Sequence, residues 1–210
     1  AIGVKGEILS GLDLGATYTD VPGGTANWTF TDSTGNYNNA SGSVAITIGK
    51  ANATISVSGY TGTYDGDPHG ASGTATGVKG EDLSADLDLG ATYTNVPGGT
   101  ADWTFTDSTG NYNDDSGSAS IVINKADPNT SGIIGFTGTY DGDSHGASGD
   151  VLGVKGEILS GFDPGATYTN VPGGTADWTF TDSTGNYNDD SGSVAITLTK
   201  ADPDTSSIVG

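Results

Sequence analysis

Apolar and polar residues alternate along this chain in short bursts. Ile55 and Val57 alternate with Thr54, Ser56 and Ser58, while Ala101, Trp103 and Phe105 alternate with Asp102, Thr104 and Thr106. Val44, Ile46 and Ile48, and again Val194, Ile196 and Leu198, do the same near the end of each such stretch. A period of two places the apolar set on one face of a half-buried strand. Helical periodicity is essentially missing; only Lys79–Ala85 (KGEDLSA) has room for one helical turn. Between the bursts stand turn residues. Asp65-Gly66 supplies a positive φ, and Pro97-Gly98-Gly99 between Ala91–Val96 and Ala101–Thr106 reads as a hairpin turn. Short strands punctuated at this spacing predict an all-β fold, an antiparallel sandwich or barrel-like module. Trp103, with Phe105 on the same face, is the expected centre of its core.

The pattern recurs. GATYT begins at Gly15, Gly90 and Gly165, a period of 75 residues, and each copy continues through VPGGTA and WTFTDSTGNYN to Lys50, Lys125 or Lys200. A period of this length is the signature of a tandem array. The expected organisation is a partial module over 1–50 lacking its opening strands, complete modules over 51–125 and 126–200, and the opening strand of a next module over 201–210. Both ends fall inside a repeat, as in a window cut from a longer protein. Lys50-Ala51 and Lys125-Ala126-Asp127-Pro128 are short junctions that limit bending, which favours a rod over flexibly linked beads.

Composition sharpens this picture. Leu, Ile, Val and Phe make only 38 of 210 residues, below the roughly one-fifth at which highly charged chains stay disordered. Their placement at strand periodicity, with a Trp and a Phe in every copy, nevertheless predicts folding. The net charge is −20, and all six cations are lysines. Such a surface repels nucleic acid and anionic membranes. No apolar run is long enough to span a bilayer. The absence of Cys and Met excludes a disulfide framework and suits an oxidising exterior.

GTYDG, a central stretch ending GNYN, and a closing strand running into Lys-Ala together resemble the MBG-type repeats of bacterial surface proteins. The matching residues are Tyr64-Asp65-Gly66, Gly110-Asn111-Tyr112-Asn113 and Lys125-Ala126, then Tyr140-Asp141-Gly142, Gly185-Asn186-Tyr187-Asn188 and Lys200-Ala201. The first copy begins beyond the Tyr-Asp-Gly position and matches through the later motifs alone. The resemblance implies tandem antiparallel Ig-like β-sandwich modules with an extracellular stalk, adhesin or matrix role. It implies no catalytic residue.

Candidate chemistry is sparse. Asp65 and Asp67, and equally Asp141 and Asp143, put two carboxylates on a glycine-containing turn, and Asp114-Asp115 follows the loop Asp107–Asn111. Calcium takes such oxygen donors, although Asp and Asn also favour turns for their own sake. Asn39-Ala40 replaces the acidic pair in the first copy. His69 and His145 read as loop histidines beside acidic neighbours. Lys5, Lys79 and Lys155 in VKGE invite a Lys–Glu pairing or an intramolecular crosslink, or else are solvated. Trp28, Trp103 and Trp178 could stack on sugars but read more simply as core. Four Asn-x-Ser/Thr triplets, at Asn27, Asn39, Asn52 and Asn129, match the glycosylation sequon.

The expected function is a structural segment of a long extracellular repeat protein forming a stalk or fibre at a cell surface or in a matrix. The alternative is an adhesin or binding module for glycans or calcium. No enzymatic activity and no cofactor other than calcium are expected. The expected partners are other modules of the same protein. Near-identical copies can exchange strands, so a second expectation is head-to-tail self-assembly, with Ala201–Gly210 of one chain completing the first copy of another.

Overall fold

A computed structural model describes residues 1–206. It is all-β. The first copy contributes strands β1 (Leu12–Asp13), β2 (Gly23–Phe30) and β3 (Ala40–Thr47). The second contributes β4 (Thr54–Ser58), β5 (Tyr60–Thr63), β6 (Ser72–Thr76), β7 (Leu87–Asp88), β8 (Gly98–Phe105) and β9 (Asp115–Asn124). The third contributes β10 (Phe136–Thr139), β11 (Phe162–Asp163), β12 (Gly173–Phe180) and β13 (Asp190–Thr199). The expected helical turn is a short 3-10 turn over Ser84–Asp86, at the end of the stretch that had room for it.

Among the described residues four sheets form: β1-β2-β3, β4-β6, β5-β9-β8-β7 and β10-β13-β12-β11. Long hairpins dominate, with Gly23 opposite Thr47 through Phe30 opposite Ala40, and Gly173 opposite Thr197 through Phe180 opposite Asp190. The wholly antiparallel expectation needs correction. β5 pairs with β9 in parallel, Tyr60 opposite Ile121, and β10 with β13 likewise, Phe136 opposite Ile196. Parallel neighbours need a long connection. Here the rest of the copy supplies it, because the pair joins a copy's opening and closing segments.

The Pro-Gly-Gly hairpin is a second correction. Gly98 and Gly99 already belong to β8, and the chain before them runs elsewhere, with Tyr93 exchanging backbone hydrogen bonds with His69. What closes at Pro97 is a tight loop in which the Gly98 amide donates to the Asn95 carbonyl (2.8 Å). Gly98 has φ +89°, and a Cβ there would run into the Ile121 carbonyl oxygen. A left-handed residue pressed against its partner strand leaves glycine as the residue that fits. Tyr93 braces this loop by donating its hydroxyl to the Thr100 carbonyl (2.7 Å), as Tyr18 and Tyr168 do at Thr25 and Thr175.

The chain packs as two compact units. One comprises Ala1–Ser58, Ser72–Gly90 and Asp102–Ser118; the other comprises Gly59–Ala71, Ala91–Ala101 and the described chain from Ala119 onward. The division runs through the second copy, so Lys50-Ala51 falls in the first unit and Lys125-Ala126 in the second. In the first unit Ala75, Leu83, Phe105 and Tyr112 form the buried cluster, with Ala51, Ala53, Ile55 and Leu87 against it. In the second, Ile133, Val151, Leu159, Trp178, Phe180 and Tyr187 do so with Ala126. The expected centre at Trp103 is corrected accordingly: Trp103 and Trp28 are only half-buried, while Phe105 is fully buried. The indole lies across a glycine on the neighbouring strand, Gly42 for Trp28, Gly117 for Trp103 and Gly192 for Trp178, and of the three Trp178 alone is buried. Of the expected opening strand over 201–210, Ala201–Ser206 form no strand and the rest lies outside the described residues. Among the described residues no helix is long and apolar enough to cross a membrane.

Candidate functional site

The loop DSTGNYN is built from its first residue outward. In the third copy Asp182 accepts hydrogen bonds from the Thr184 amide (2.9 Å) and hydroxyl (2.8 Å) through one carboxylate oxygen, and from the Tyr187 amide (2.9 Å) through the other. Asp32 does the same for Thr34 and Tyr37, and Asp107 for Thr109 and Tyr112. These amides favour the ionised carboxylate, and Asp32 is lowered to about 2, chiefly by the Tyr37 N–H. A second oxygen closes the loop. The Asp182 amide donates to Asp189 Oδ1 (2.9 Å), the Asp107 amide to Asp114 Oδ1 (3.0 Å), and the Asp32 amide to Asn39 Oδ1 (2.9 Å). The Asn39-for-Asp114 exchange therefore has a structural reason: the position needs an acceptor oxygen, which an amide supplies as well as a carboxylate.

The wound loop presents Asn-Tyr-Asn. Its tyrosine points inward. Tyr187 is 1% exposed and Tyr112 4%. Each hydroxyl donates to the glutamate of VKGE, Tyr187 to Glu157, Tyr112 to Glu81 and Tyr37 to Glu7. Each also accepts the backbone amide of the valine in that motif, at 3.0 Å for Val154 and 3.1 Å for Val78. Burial and then the Glu157 hydrogen bond push the Tyr187 phenol up to about 12. The same phenol holds Glu157 below its ordinary value. The partner of the VKGE glutamate is thus a tyrosine and not the neighbouring lysine, whose backbone amide alone reaches it (Lys155 to Glu157, 3.0 Å).

The first asparagine reaches into the preceding copy, and the second reaches the start of its own. Asn186 Oδ1 accepts from the Val96 amide (3.0 Å) and its Nδ2 donates to Asn95 Oδ1 (3.0 Å), so one amide grips the Pro-Gly-Gly loop of the second copy with both ends. Asn111 repeats this on the first copy, with Val21 at 2.8 Å and Asp20 at 3.2 Å. The backbone around each tyrosine pairs in parallel with the Lys-Ala junction. The Ala126 amide donates to the Asn186 carbonyl (3.0 Å) and the Asn188 amide to the Ala126 carbonyl (2.8 Å), matched by Ala51 with Asn111 and Asn113. Asn188 Nδ2 then donates to Asp127 (2.7 Å), and Asn113 Nδ2 to Asn52 (2.7 Å). Sequence reasoning missed this joint. The signal available was that GNYN is identical in all three copies while the two positions that follow it vary.

The acidic turns have partners of their own. His69 Nε2 lies 3.0 and 3.1 Å from the two carboxylate oxygens of Asp65, and its ring stacks on Tyr60 at 4.0 Å. An ionised carboxylate only accepts, so Nε2 carries the proton. His145, Asp141 and Phe136 repeat the arrangement. The Asp67 amide and then His69 lower the Asp65 carboxyl below its ordinary value. Asp67 itself takes the Lys155 ammonium at 2.5 Å, and that lysine lies over Gly66. Asp143 donates its amide to Asp141 (2.9 Å). Among the described residues no group of three His, Asp or Glu side chains is gathered as a metal would require.

Among known proteins, no family model and no curated sequence matches this chain. Among solved structures, extracellular domains 3–5 of Drosophila OTK are similar at 12% identity and a TM-score of 0.27, covering 84% of this chain and 71% of that one. A likeness of that degree carries no functional information.

Proposed function

We propose that the chain is a structural segment of a long extracellular repeat protein, with its 75-residue copies acting as β-modules stacked into a stalk or fibre. The observation that supports this is the duplicated joint. Asn111 and Asn186 each hold the loop of the module before, with the same two amide hydrogen bonds, and the flanking backbone clamps the Lys-Ala junction. A module pinned at both its loop and its junction cannot pivot freely on a linker. Its orientation to the module before is therefore set by the fold. The acidic composition free of Cys and Met fits an exposed, oxidising location.

Spin labels placed on either side of the second joint test the reading. A narrow distance distribution that broadens in Asn186→Ala is expected. A broad distribution in the unsubstituted chain would remove the stalk reading.

A further inference from the structure

Asp67, Asp127, Asp163 and Asp202 each stand directly before a proline. Such a peptide bond is chemically weak. The ring nitrogen of proline carries no hydrogen and departs as a basic secondary amine, while the aspartate carboxylate can reach its own main-chain carbonyl carbon and close a five-membered anhydride. Asp67 differs from the other three in its partner. Lys155 Nζ lies 2.5 Å from Asp67 Oδ1, and among the described residues no other of these carboxylates carries a lysine. Asp127 instead accepts from Asn188 Nδ2 (2.7 Å) and Asp163 from the Gly165 amide (2.9 Å). The lysine stem lies over Gly66, where a Cβ would come within 2.6 Å of Lys155 Cε. In the third copy Ser144 stands where the second has Pro68.

Both sides of the Asp67–Pro68 bond are held independently. The bond itself sits in an exposed turn. Before it, β5 pairs with β9, and the Asp67 amide donates to Asp65 Oδ1 (2.9 Å). After it, His69 exchanges two backbone hydrogen bonds with Tyr93 and stacks on Tyr60. A break between them leaves each end in place, with the Asp67 carbonyls still beside the lysine.

We propose that the Asp67–Pro68 bond rearranges onto Lys155, cutting the main chain before Pro68 and joining Asp67 to Lys155 through an amide. The Asp67 carboxylate attacks the Asp67 main-chain carbonyl carbon, the bond to the Pro68 nitrogen breaks, and the anhydride forms. The Lys155 ammonium passes a proton to the departing nitrogen, which frees its lone pair. Nζ then attacks Cγ, the carbonyl carbon bearing the oxygen it already touches, and releases the Asp67 main-chain carboxylate. The second proton that Nζ loses also ends on the Pro68 nitrogen. One carbon–nitrogen bond breaks and one forms, and no water is taken up or lost. Because Nζ is held in contact, it outcompetes bulk water for the anhydride. The covalent path from the second copy into the third then runs through Lys155, with residues 68–154 outside it.

Incubating the folded chain at mildly acidic and at neutral pH, then denaturing it, tests this. The expected result is an unchanged intact mass together with a new N-terminal sequence beginning Pro68-His69-Gly70. Denaturation should not separate the two pieces, and a digest should contain a fragment joining Asp67 to Lys155. Lys155→Arg keeps a cation on Asp67 but offers no amine, so the amide should be lost and any cut chains should part on denaturation. Pro68→Ser, which copies the third copy's sequence, should lose both the cut and the amide. A chain that yields no Pro68 terminus overturns the proposal. So does a Pro68 terminus on pieces that separate with Lys155 unmodified, and so does an Asp67–Lys155 amide formed with loss of water and no cut.

Discussion

The two joints share their hydrogen bonds but not their surroundings. At the second, Asn186 is 7% exposed, Tyr64 packs on Tyr187 and Asp67 takes Lys155. At the first, Asn111 is half-buried and a recess of about 310 Å³ opens between Val21, Ile48, Tyr112 and Lys79. The amide grip is the element the two joints share. A buried amide that loses its partners costs more than an exposed one that can turn to water.

The largest expected effect comes from removing the inward tyrosine. Tyr187→Ala should cost about 3–5 kcal/mol, as truncation of a buried aromatic does. Tyr37→Ala, at a half-buried position in the first copy, should cost less, as chemical denaturation of the two variants would reveal. Equal losses would mean that burial of the tyrosine does not set the cost. Next in size, Asn186→Ala should destabilise by roughly 1–3 kcal/mol by stranding the Val96 amide, and Asn111→Ala by less. A reversed order would break the comparison.

Tyr187→Phe isolates the hydroxyl, and its effect should depend on pH. The folded phenol sits near 12 against an ordinary 10.0, so its contribution is complete below about pH 10 and fades as pH rises through 12. Glu157 is lowered, so its share is present above its ordinary value of 4.5 and fades as pH falls below it. The cost of Tyr187→Phe should hence be constant through neutrality and vanish at both extremes. Ultraviolet titration should show a tyrosine ionising near 12 that Tyr187→Phe removes. A cost that is independent of pH would disconnect Tyr187 from Glu157.

Smaller still, Lys155→Ala should cost under about 1 kcal/mol and the difference should disappear in high salt, because the Lys155–Asp67 pair is half exposed. The smallest expected effect is that of calcium. With Asp65 and Asp141 engaged by histidines, millimolar calcium should leave the melting temperature unchanged. A rise abolished by Asp65→Asn would favour the binding-module alternative.

Much of the local architecture could be read before any fold was known. Ile55 and Val57 do alternate along β4, and Val194, Ile196 and Leu198 along β13. Asp65-Gly66 turns with Gly66 at φ +79°. The errors arose where a local motif answered to a distant one. Pro97-Gly98-Gly99 looked like a hairpin turn because its flanks alternate, yet Gly98 is committed to β9 and Tyr93 to His69. Trp103 looked central because it is the largest residue on its strand, but it is only half-buried and Phe105 on the same face is fully buried.

Sequence alone determined the period, the strand alternation and the turn positions, because each depends on residues a few places apart and on backbone preferences that act locally. Tertiary structure decided what the repeated polar residues are for. The bond between Asn186 and Val96 spans 90 residues, and nothing in either motif announces the other. An amide is a donor and an acceptor anywhere in a chain; it becomes a joint only where folding brings an unpaired N–H and a second amide to face it.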